Sequence, residues 1–454
     1  MANGERVLDA LGEWLIDAVG EADICEDCCG GGVAPHNGVV EDIIAVNGKP
    51  TLLYNSWTWV AGLPTVNNGH AIVMSTTTTP PTVWYAPLLV PTGNLAWTAM
   101  MDTLGPSAGL AGHVVVGNGG GAGVYIANQL NDPTSWTKVY NLPGGFGTNH
   151  LLQFGKTAVN DRIMMQTDRK QVIVSDNANL SAWTPVTASP AFGAPPQGPG
   201  ASNGTRPQVV NGFPSTASSG GLFFQATNTI GTTWGAGVAF APLLAVNRIY
   251  RIRIVAGYPA ILFSVAGGTI SNYVDELYYV RALDANGATW GTPVQVPLAA
   301  GAGVTDPANI VGGFRAADMD IDGSGTIYAR WWSVDSDVIL GAPSVISICS
   351  TPLYWLPPAC FSYTTYPDAT YWIVIYGSQS VDNGVTWSSY TWEYQIELTT
   401  VAQKALTRFY RVSCYHDGTD LLVAYSTNRE AIQGNPLVPD FLSEIMYING
   451  VIVS

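Results

Sequence analysis

From Val39 to the end of the chain, apolar residues come in short runs that alternate with polar ones, and Gly, Pro, Asn and Thr cut these runs every few residues. A two-residue period with frequent breakers is the pattern of many short strands joined by tight turns. "EDIIAVNGKPTLLYNSWTW" reads as a hairpin with Asn47-Gly48 at its turn. Loops are marked at residues 76–81, 117–123 and 194–207. The first 24 or so residues follow a different rule. Val7, Leu8, Leu11, Trp14, Leu15 and Val19 fall on one helical stripe, with Glu5, Asp9, Glu13 and Asp17 largely elsewhere and Asn3 placed to cap the start. This predicts one short amphipathic helix. Its stripe must be covered by the chain's own β-body, by a copy or by a partner subunit. A Gly-rich break, "CEDCCGGGVAPHNG", follows it. Two units result: residues 1–38, a docking or oligomerisation helix with its junction, and residues 39–454, an all-β body.

The β-body repeats. "YIANQLNDPTSWTKV" and "VIVSDNANLSAWTPV" align without a gap as strand, polar turn and Trp-Thr-x-Val, and "PLLVPTGNLAWTAM" ends the same way. "FFQATNTIGTTWG" and "YYVRALDANGATWG" carry Gly-x-Thr-Trp. The repeat tryptophans are Trp97, Trp136, Trp183, Trp234, Trp290 and Trp387, at gaps of 39, 47, 51, 56 and 97 residues. The last gap is about double and predicts a unit without the motif near residues 320–337; a further unit is placed near Trp57 and Trp59. Periods of roughly 40–50 residues with several strands each describe β-propeller blades. The fold expected is therefore a propeller of about seven four-stranded blades, within a range of about six to eight, after the helix. "EIMYINGVIVS" is expected to pair with strands from the N-terminal side and close the ring.

The fullest copy of the motif is "SVDNGVTWSS", with Ser380, Asp382, Gly384, Thr386 and Trp387 in place. Asp can bind backbone N–H groups a residue or two on, and Gly supplies a positive φ. Thr386 then starts the outgoing strand and Trp387 offers an apolar face. These residues fix a turn and form no acid–base pair. At the corresponding Asp position the other two copies have Thr229 and Ala285, with Asp284 one place away. This string resembles the Asp-box, or BNR repeat, of the sialidase-type β-propellers, over about residues 40–454.

Composition narrows the function. Only 11% of the 454 residues are charged, the net charge is −15, and Lys and Arg number 18. A nucleic-acid or anionic-lipid surface needs basic patches, so neither partner is expected. No apolar run reaches the roughly 18 residues that a membrane-spanning helix needs. The N-terminus has no basic n-region or unbroken apolar core, so synthesis in a cytoplasm without a signal peptide is expected.

Candidate chemistry is sparse. Cys25, Cys28 and Cys29 with His36 have one Cys-x2-Cys spacing, a weak metal knuckle beside the alternative of free or intermolecularly cross-linked thiols. Cys349 and Cys360 flank "STPLYWLPPA", where a reducing cytoplasm opposes a disulfide. No nucleophile elbow, zinc-protease helix or phosphate-binding loop is present, and no cofactor is expected. The sialidase resemblance implies an arginine triad, a Tyr–Glu nucleophile pair and an acid Asp. "YRIRIVAG" gives Tyr250-Arg251-Ile252-Arg253, but with Arg where the family has Pro, and mid-chain. Arg281, Arg315, Arg330, Arg408 and Arg411 remain, read as strand-surface arginines. Glu393 and Tyr394, as strand neighbours, point to opposite faces.

Few charges, a Gly/Thr/Asn/Trp-rich β-body and a short helical head resemble a virion protein of a tailed bacteriophage. The main expectation is a non-enzymatic structural or host-recognition protein (tail fibre, head fibre or tail-tip component) located in the virion. It would dock on other virion proteins through residues 1–38, oligomerise, and present its β-body to a host glycan or protein; aromatics around Tyr363, Tyr366, Tyr371 and Trp372 suit stacking on sugars, though such residues are more often buried core. The alternative is a sialidase-like glycoside hydrolase, which predicts arginines and carboxylates clustered at the propeller's centre. A cellular protein–protein scaffold is a further alternative.

Overall fold

A computed structural model describes the backbone of 29 strands between Gly38 and Ile448 and several of their turns, with side chains mainly in 42–53, 221–297, 317–331, 375–389 and 412–424. The helix stripe Val7–Val19, Cys25, Cys28, Cys29, His36, Trp97, Arg408 and Arg411 lie outside the described residues. The described residues are all-β, with no helix among them.

The strands group into consecutive antiparallel sheets. The first holds β1 (Gly38–Val46), β2 (Lys49–Val60), β3 (Leu63–Met74) and β4 (Leu88–Leu89). The second holds β5 (Ala99–Thr103), β6 (His113–Asn118), β7 (Gly123–Asn128) and β8 (Asp132–Asn141). The third holds β9 (Thr148–Phe154), β10 (Arg162–Thr167), β11 (Val172–Ser175) and β12 (Trp183–Val186). The fourth holds β13 (Gly200–Ser202), β14 (Pro207–Asn211), β15 (Leu222–Gln225) and β16 (Val238–Ala239). The fifth holds β17 (Val246–Val255), β18 (Tyr258–Gly267), β19 (Val274–Arg281) and β20 (Val294–Gln295). In the sixth, β21 (Phe314–Ile321) and β22 (Ile327–Ser336) are followed by a separate hairpin, β23 (Ser344–Cys349) and β24 (Cys360–Thr365), before β25 (Tyr371–Ser380) and β26 (Thr391–Leu398) complete the sheet. The last has three described strands, β27 (Val412–His416), β28 (Leu421–Glu430) and β29 (Pro439–Ile448).

The first strand of each sheet packs beside the first strand of the next, from β1 through β5, β9, β13, β17, β21 and β27, and β27 packs beside β1. The sheets thus form a ring whose centre is lined by their first strands. Of the segment expected to close the ring, the described part, β29, pairs with β28 of its own sheet, and among the described residues β1 pairs with β2 alone; residues 449–454 lie outside the described residues.

The period-2 pattern explains how sheets stack. Along β18, Ile261, Phe263 and Val265 face a cluster with Phe223, Phe240 and Ile249. Ala260 and Leu262 face the opposite cluster, with Tyr279, Met319, Trp331 and Tyr376. A strand with a neighbour sheet on each face reads as an unbroken apolar run, as "AILFSV" does.

The tryptophan repeat marks one place in this plan. Trp136 pairs with Ala127 and Trp183 with Ser175, and Trp234 and Trp290 bridge to Ala226 and Ala282. In the sixth sheet, Ser388 N–H donates to the Gln379 carbonyl at the same point, one residue past Trp387. Each lies where the third strand turns into the fourth. Among the described residues, the gap of 97 residues before Trp387 holds no extra four-stranded sheet. Residues 314–398 are one sheet, lengthened by the β23–β24 hairpin.

Candidate functional site

The turns at one end of the ring are built by aspartates. Asp382 accepts hydrogen bonds from Thr386 N–H and the Thr386 hydroxyl, and the Ser380 hydroxyl donates to it at 2.8 Å. Gly384 N–H donates to Ser380 Oγ at 2.8 Å. The Thr386 hydroxyl and backbone hold the Asp382 carboxyl down to about 2. Gly384 has φ +88 and a Cβ there would lie 1.9 Å from Tyr279 Cε1, so glycine is required twice over. Trp387 meets Tyr279 edge-on at 5.4 Å between ring centroids.

Asp284 performs the same task with one more residue in the turn. It accepts from Asn286, Ala288 and Thr289 N–H and from the Thr289 hydroxyl, while Trp290 Nε1–H donates to the Gly287 carbonyl at 2.9 Å. Burial opposes its charge, but these bonds hold its carboxyl below the ordinary value. In the fourth sheet Thr227 and Thr233 hydroxyls replace the carboxylate, and Trp234 Nε1–H donates to the Gly231 carbonyl. The turn carboxylates are engaged by the backbone N–H groups and hydroxyls of their own turns.

The centre of the ring is different. Arg251 and Arg253 lie two residues apart on β17, so both side chains point the same way; so do Asp318 and Asp320 on β21. They pair in two rungs. In the inner rung, Arg251 Nε and Nη2 donate to both Asp318 oxygens. Asp318 also accepts from Cys414 N–H and the Ser413 hydroxyl of β27, each at 2.9 Å. Asp42 of β1 stands 3.8 Å from Arg251 Nη2, and Ser413 donates to it at 3.4 Å. In the outer rung, Arg253 Nε donates to Asp320 Oδ1 at 2.8 Å, and His416 N–H donates to Asp320 Oδ2 at 2.7 Å. Each aspartate therefore takes a guanidinium from the fifth sheet and a backbone N–H from the last. The first strands of neighbouring sheets share no ladder hydrogen bonds, and these carboxylates supply the link in their place.

Burial separates the rungs. Arg251 and Asp318 side chains are 13% and 4% exposed, Arg253 and Asp320 28% and 9%. Burial opposes the charge on both members of the inner pair. The Arg251 charge nonetheless keeps the Asp318 carboxyl below its ordinary value, and Asp318, with Asp42, raises the guanidinium above its own. Asp318 is locked as an anion and cannot carry a proton at neutral pH. Burial, with Asp318 and Asp320 nearby, pushes the Cys414 thiol well up, so it is not a nucleophile.

The outer rung keeps contact with solvent. His416 stacks on Tyr328, 5.5 Å between centroids and 18° between planes. His416 Nδ1 accepts from Gly418 N–H at 3.1 Å, which places the proton of the neutral ring on Nε2. The Tyr328 hydroxyl donates to Asp322 Oδ2 at 3.1 Å. Arg253, Asp320, His416 and Tyr328 thus gather cation, carboxylate, imidazole and aromatic face from three sheets at the end where the aspartate turns sit.

The other arginines do not join as a triad among the described residues. Arg251 and Arg253 are not surface arginines; both point to the centre and are engaged by carboxylates. Arg281 lies over the Tyr258 ring at 5.0 Å, within the fifth sheet. Arg330 is fully buried on β22, its Nη1 donating to the Ala329 carbonyl at 3.0 Å. Glu393 and Tyr394 are on β26, the strand of the sixth sheet farthest from the centre. The motif "YRIRIVAG" pointed to two of the site residues; Asp42, Asp318, Asp320, Ser413 and His416 come from three other sheets and had no local signature. Among the described residues no cluster of His, Cys, Asp and Glu could hold a metal ion, and no described helix is long and apolar enough to cross a membrane.

No family model and no curated protein matches the chain. Solved structures that it resembles include "YCF48 bound to D1 peptide", at 10% identity over 93% of this chain and 96% of that one, TM-score 0.45. Another is the α-L-arabinofuranosidase Arb93A from Fusarium graminearum, in complex with an iminosugar inhibitor, at 10% identity over 92% and 98%, TM-score 0.38. A third is an α-L-arabinofuranosidase from Lactobacillus brevis, at 10% identity over 93% of each chain, TM-score 0.30. The expectation of a non-enzymatic protein is corrected here. Glycoside hydrolases are among the solved structures that resemble the chain.

Proposed function

We propose that this chain is a seven-bladed β-propeller of the glycoside hydrolase class, acting on a glycan at the centre of the ring. The observation that carries this reading is the outer rung, where Arg253, Asp320 and His416 meet beside the Tyr328 ring, partly open to solvent. A guanidinium and an imidazole N–H suit sugar hydroxyls, and an aromatic face suits the apolar side of a sugar ring. Asp320, paired with Arg253 and bonded by the His416 N–H, is the carboxyl group proposed for acid–base work, with the His416 ring offered by the neighbouring strand β27. The inner rung supports them from beneath, because β21 and β27 cannot shift without breaking the Asp318 bonds. The sheets that contribute a first strand to the ring support a count of seven blades. Asp42, Ser413 and Arg251 link the first, last and fifth sheets where β27 packs beside β1.

The test is release of the chromophore from a panel of aryl glycosides, including furanosides and xylosides, with reducing-sugar release from plant and microbial polysaccharides alongside. Turnover is expected with at least one substrate, and Asp320→Asn is expected to lower it about 100-fold or more. Absence of turnover on the whole panel, or full activity of Asp320→Asn, overturns the reading.

A further inference from the structure

The β23–β24 hairpin is an insertion between the second and third strands of the sixth sheet. It leaves that sheet beyond Ser336, which pairs with Tyr371, while the Asp382 turn follows the other end, where Ile327 pairs with Ser380. The hairpin therefore belongs to the end of the ring opposite the aspartate turns. Its two strands pair in one unbroken register from Ser344↔Thr365 to Cys349↔Cys360. Cys349 and Cys360 are the last pair of the ladder, and the ten residues Ser350–Ala359 join them.

We propose that Cys349 and Cys360 form a cross-strand disulfide that ties the base of the 350–359 loop. The argument is geometric. Directly opposed residues of an antiparallel pair have Cα atoms about 4.5 or 5.5 Å apart, depending on whether the pair is hydrogen-bonded. A disulfide spans about 4.4–6.8 Å between Cα atoms, so either kind of pair is within reach. Opposed residues also share one face of the hairpin. The last pair of a ladder has no further rung to hold it apart, which eases the final approach. Among the described residues, position sets Cys414 apart from this pair. Cys414 is 1% exposed on β27 at the ring centre, with its thiol pushed up, and belongs to a different sheet. The sequence argument against this bond was the compartment alone, whereas the register supplies the geometry that spacing could not.

The oxidant is a small-molecule disulfide such as oxidised glutathione. One hairpin thiolate attacks it, forming a mixed disulfide and releasing one glutathione thiolate. The second hairpin thiolate then displaces the other glutathione. Two protein thiols are oxidised, one disulfide is reduced to two thiols, and the protons balance. Oxidation would close residues 350–359 into a ring with the end of the hairpin.

The experiment uses the full chain, reduced and then incubated with oxidised glutathione, alkylated in the native state and digested with chymotrypsin without reduction. Cleavage after Tyr354 or Trp355 leaves the Cys349 and Cys360 peptides joined only by the disulfide. The joined pair is expected, with Cys414 unmodified. Cys349→Ser and, separately, Cys360→Ser are expected to abolish it while leaving the reduced protein's thermal midpoint unchanged. Recovery of both cysteines as separate alkylated or glutathionylated peptides overturns the proposal, as does linkage of either to another cysteine.

Discussion

Replacing Asp318 by Asn tests whether the inner rung holds the ring together. The side chain keeps its shape and loses its charge. Arg251, only 13% exposed, is then left as a cation facing an amide. Asp318 accepts from Arg251 twice, from the Ser413 hydroxyl, and from Cys414 and Met319 N–H. An amide has one acceptor oxygen, and its NH2 must face groups that are themselves donors. Breaking a buried pair by removing one partner costs about 3–5 kcal/mol, and this should fall in that range. Against a typical stability of about 5–15 kcal/mol, the loss is large enough to read directly as a lower urea midpoint at pH 7. Asp320→Asn is the internal control. Its pair is more exposed, solvent screens it, and about 1 kcal/mol is expected. Arg251→Met combined with Asp318→Asn removes the stranded cation and should recover part of the loss. The sign with pH follows from the depressed Asp318 carboxyl. Its contribution is present above the unfolded value of about 3.9 and disappears as pH falls through the lower folded value, so wild type and Asp318→Asn should converge under acid. A loss below about 1 kcal/mol, or an equal loss in Asp320→Asn, would refute the two-rung account.

Three further outcomes are expected. Gly384→Ala should cost about 2–4 kcal/mol in chemical denaturation, because φ is +88 and the Tyr279 ring occupies the place of the Cβ; Gly325→Ala, at φ +91 with nothing within 4 Å, should cost only the backbone part, about 1–2 kcal/mol. Asp382→Asn should lower the thermal midpoint by a few degrees at neutral pH. The difference should vanish as pH falls toward 2, since a carboxyl held at about 2 stabilises above its unfolded value and loses that effect through its folded one, a change that circular dichroism melts across pH 2–7 would follow. Phe263→Ala should cost about 3–5 kcal/mol by urea unfolding, since the ring is fully buried and packs on Phe240 at 5.3 Å.

The sequence by itself determined what depends on neighbours along the chain. Alternation and breakers specified strands and hairpins, and the spacing of Trp136, Trp183, Trp234 and Trp290 marked the third-to-fourth strand turns, because the backbone of each pairs across the same turn. The Asp382 turn was legible for the same reason: Ser380, Asp382, Gly384 and Thr386 bond each other within five residues. Asp284 was misjudged by one place, since a longer turn reaches the same geometry and spacing alone does not show turn length. The separate unit expected near residues 320–337 is, among the described residues, the first two strands of the Trp387 sheet, because a period cannot tell an inserted hairpin from an absent motif.

Tertiary structure decided the rest. Arg251 and Asp318 are 67 residues apart, and Asp318 and Cys414 96. Nothing along the chain relates them, yet first strands of a closed ring meet at its centre, and the charges of the inner rung must pair because they are largely removed from water. The arginines of "YRIRIVAG" were visible as residues, but their burial, their partners and their division into a locked and an open rung exist only in the ring. The Cys349–Cys360 register is of the same kind: two cysteines eleven apart say nothing until a hairpin sets them face to face.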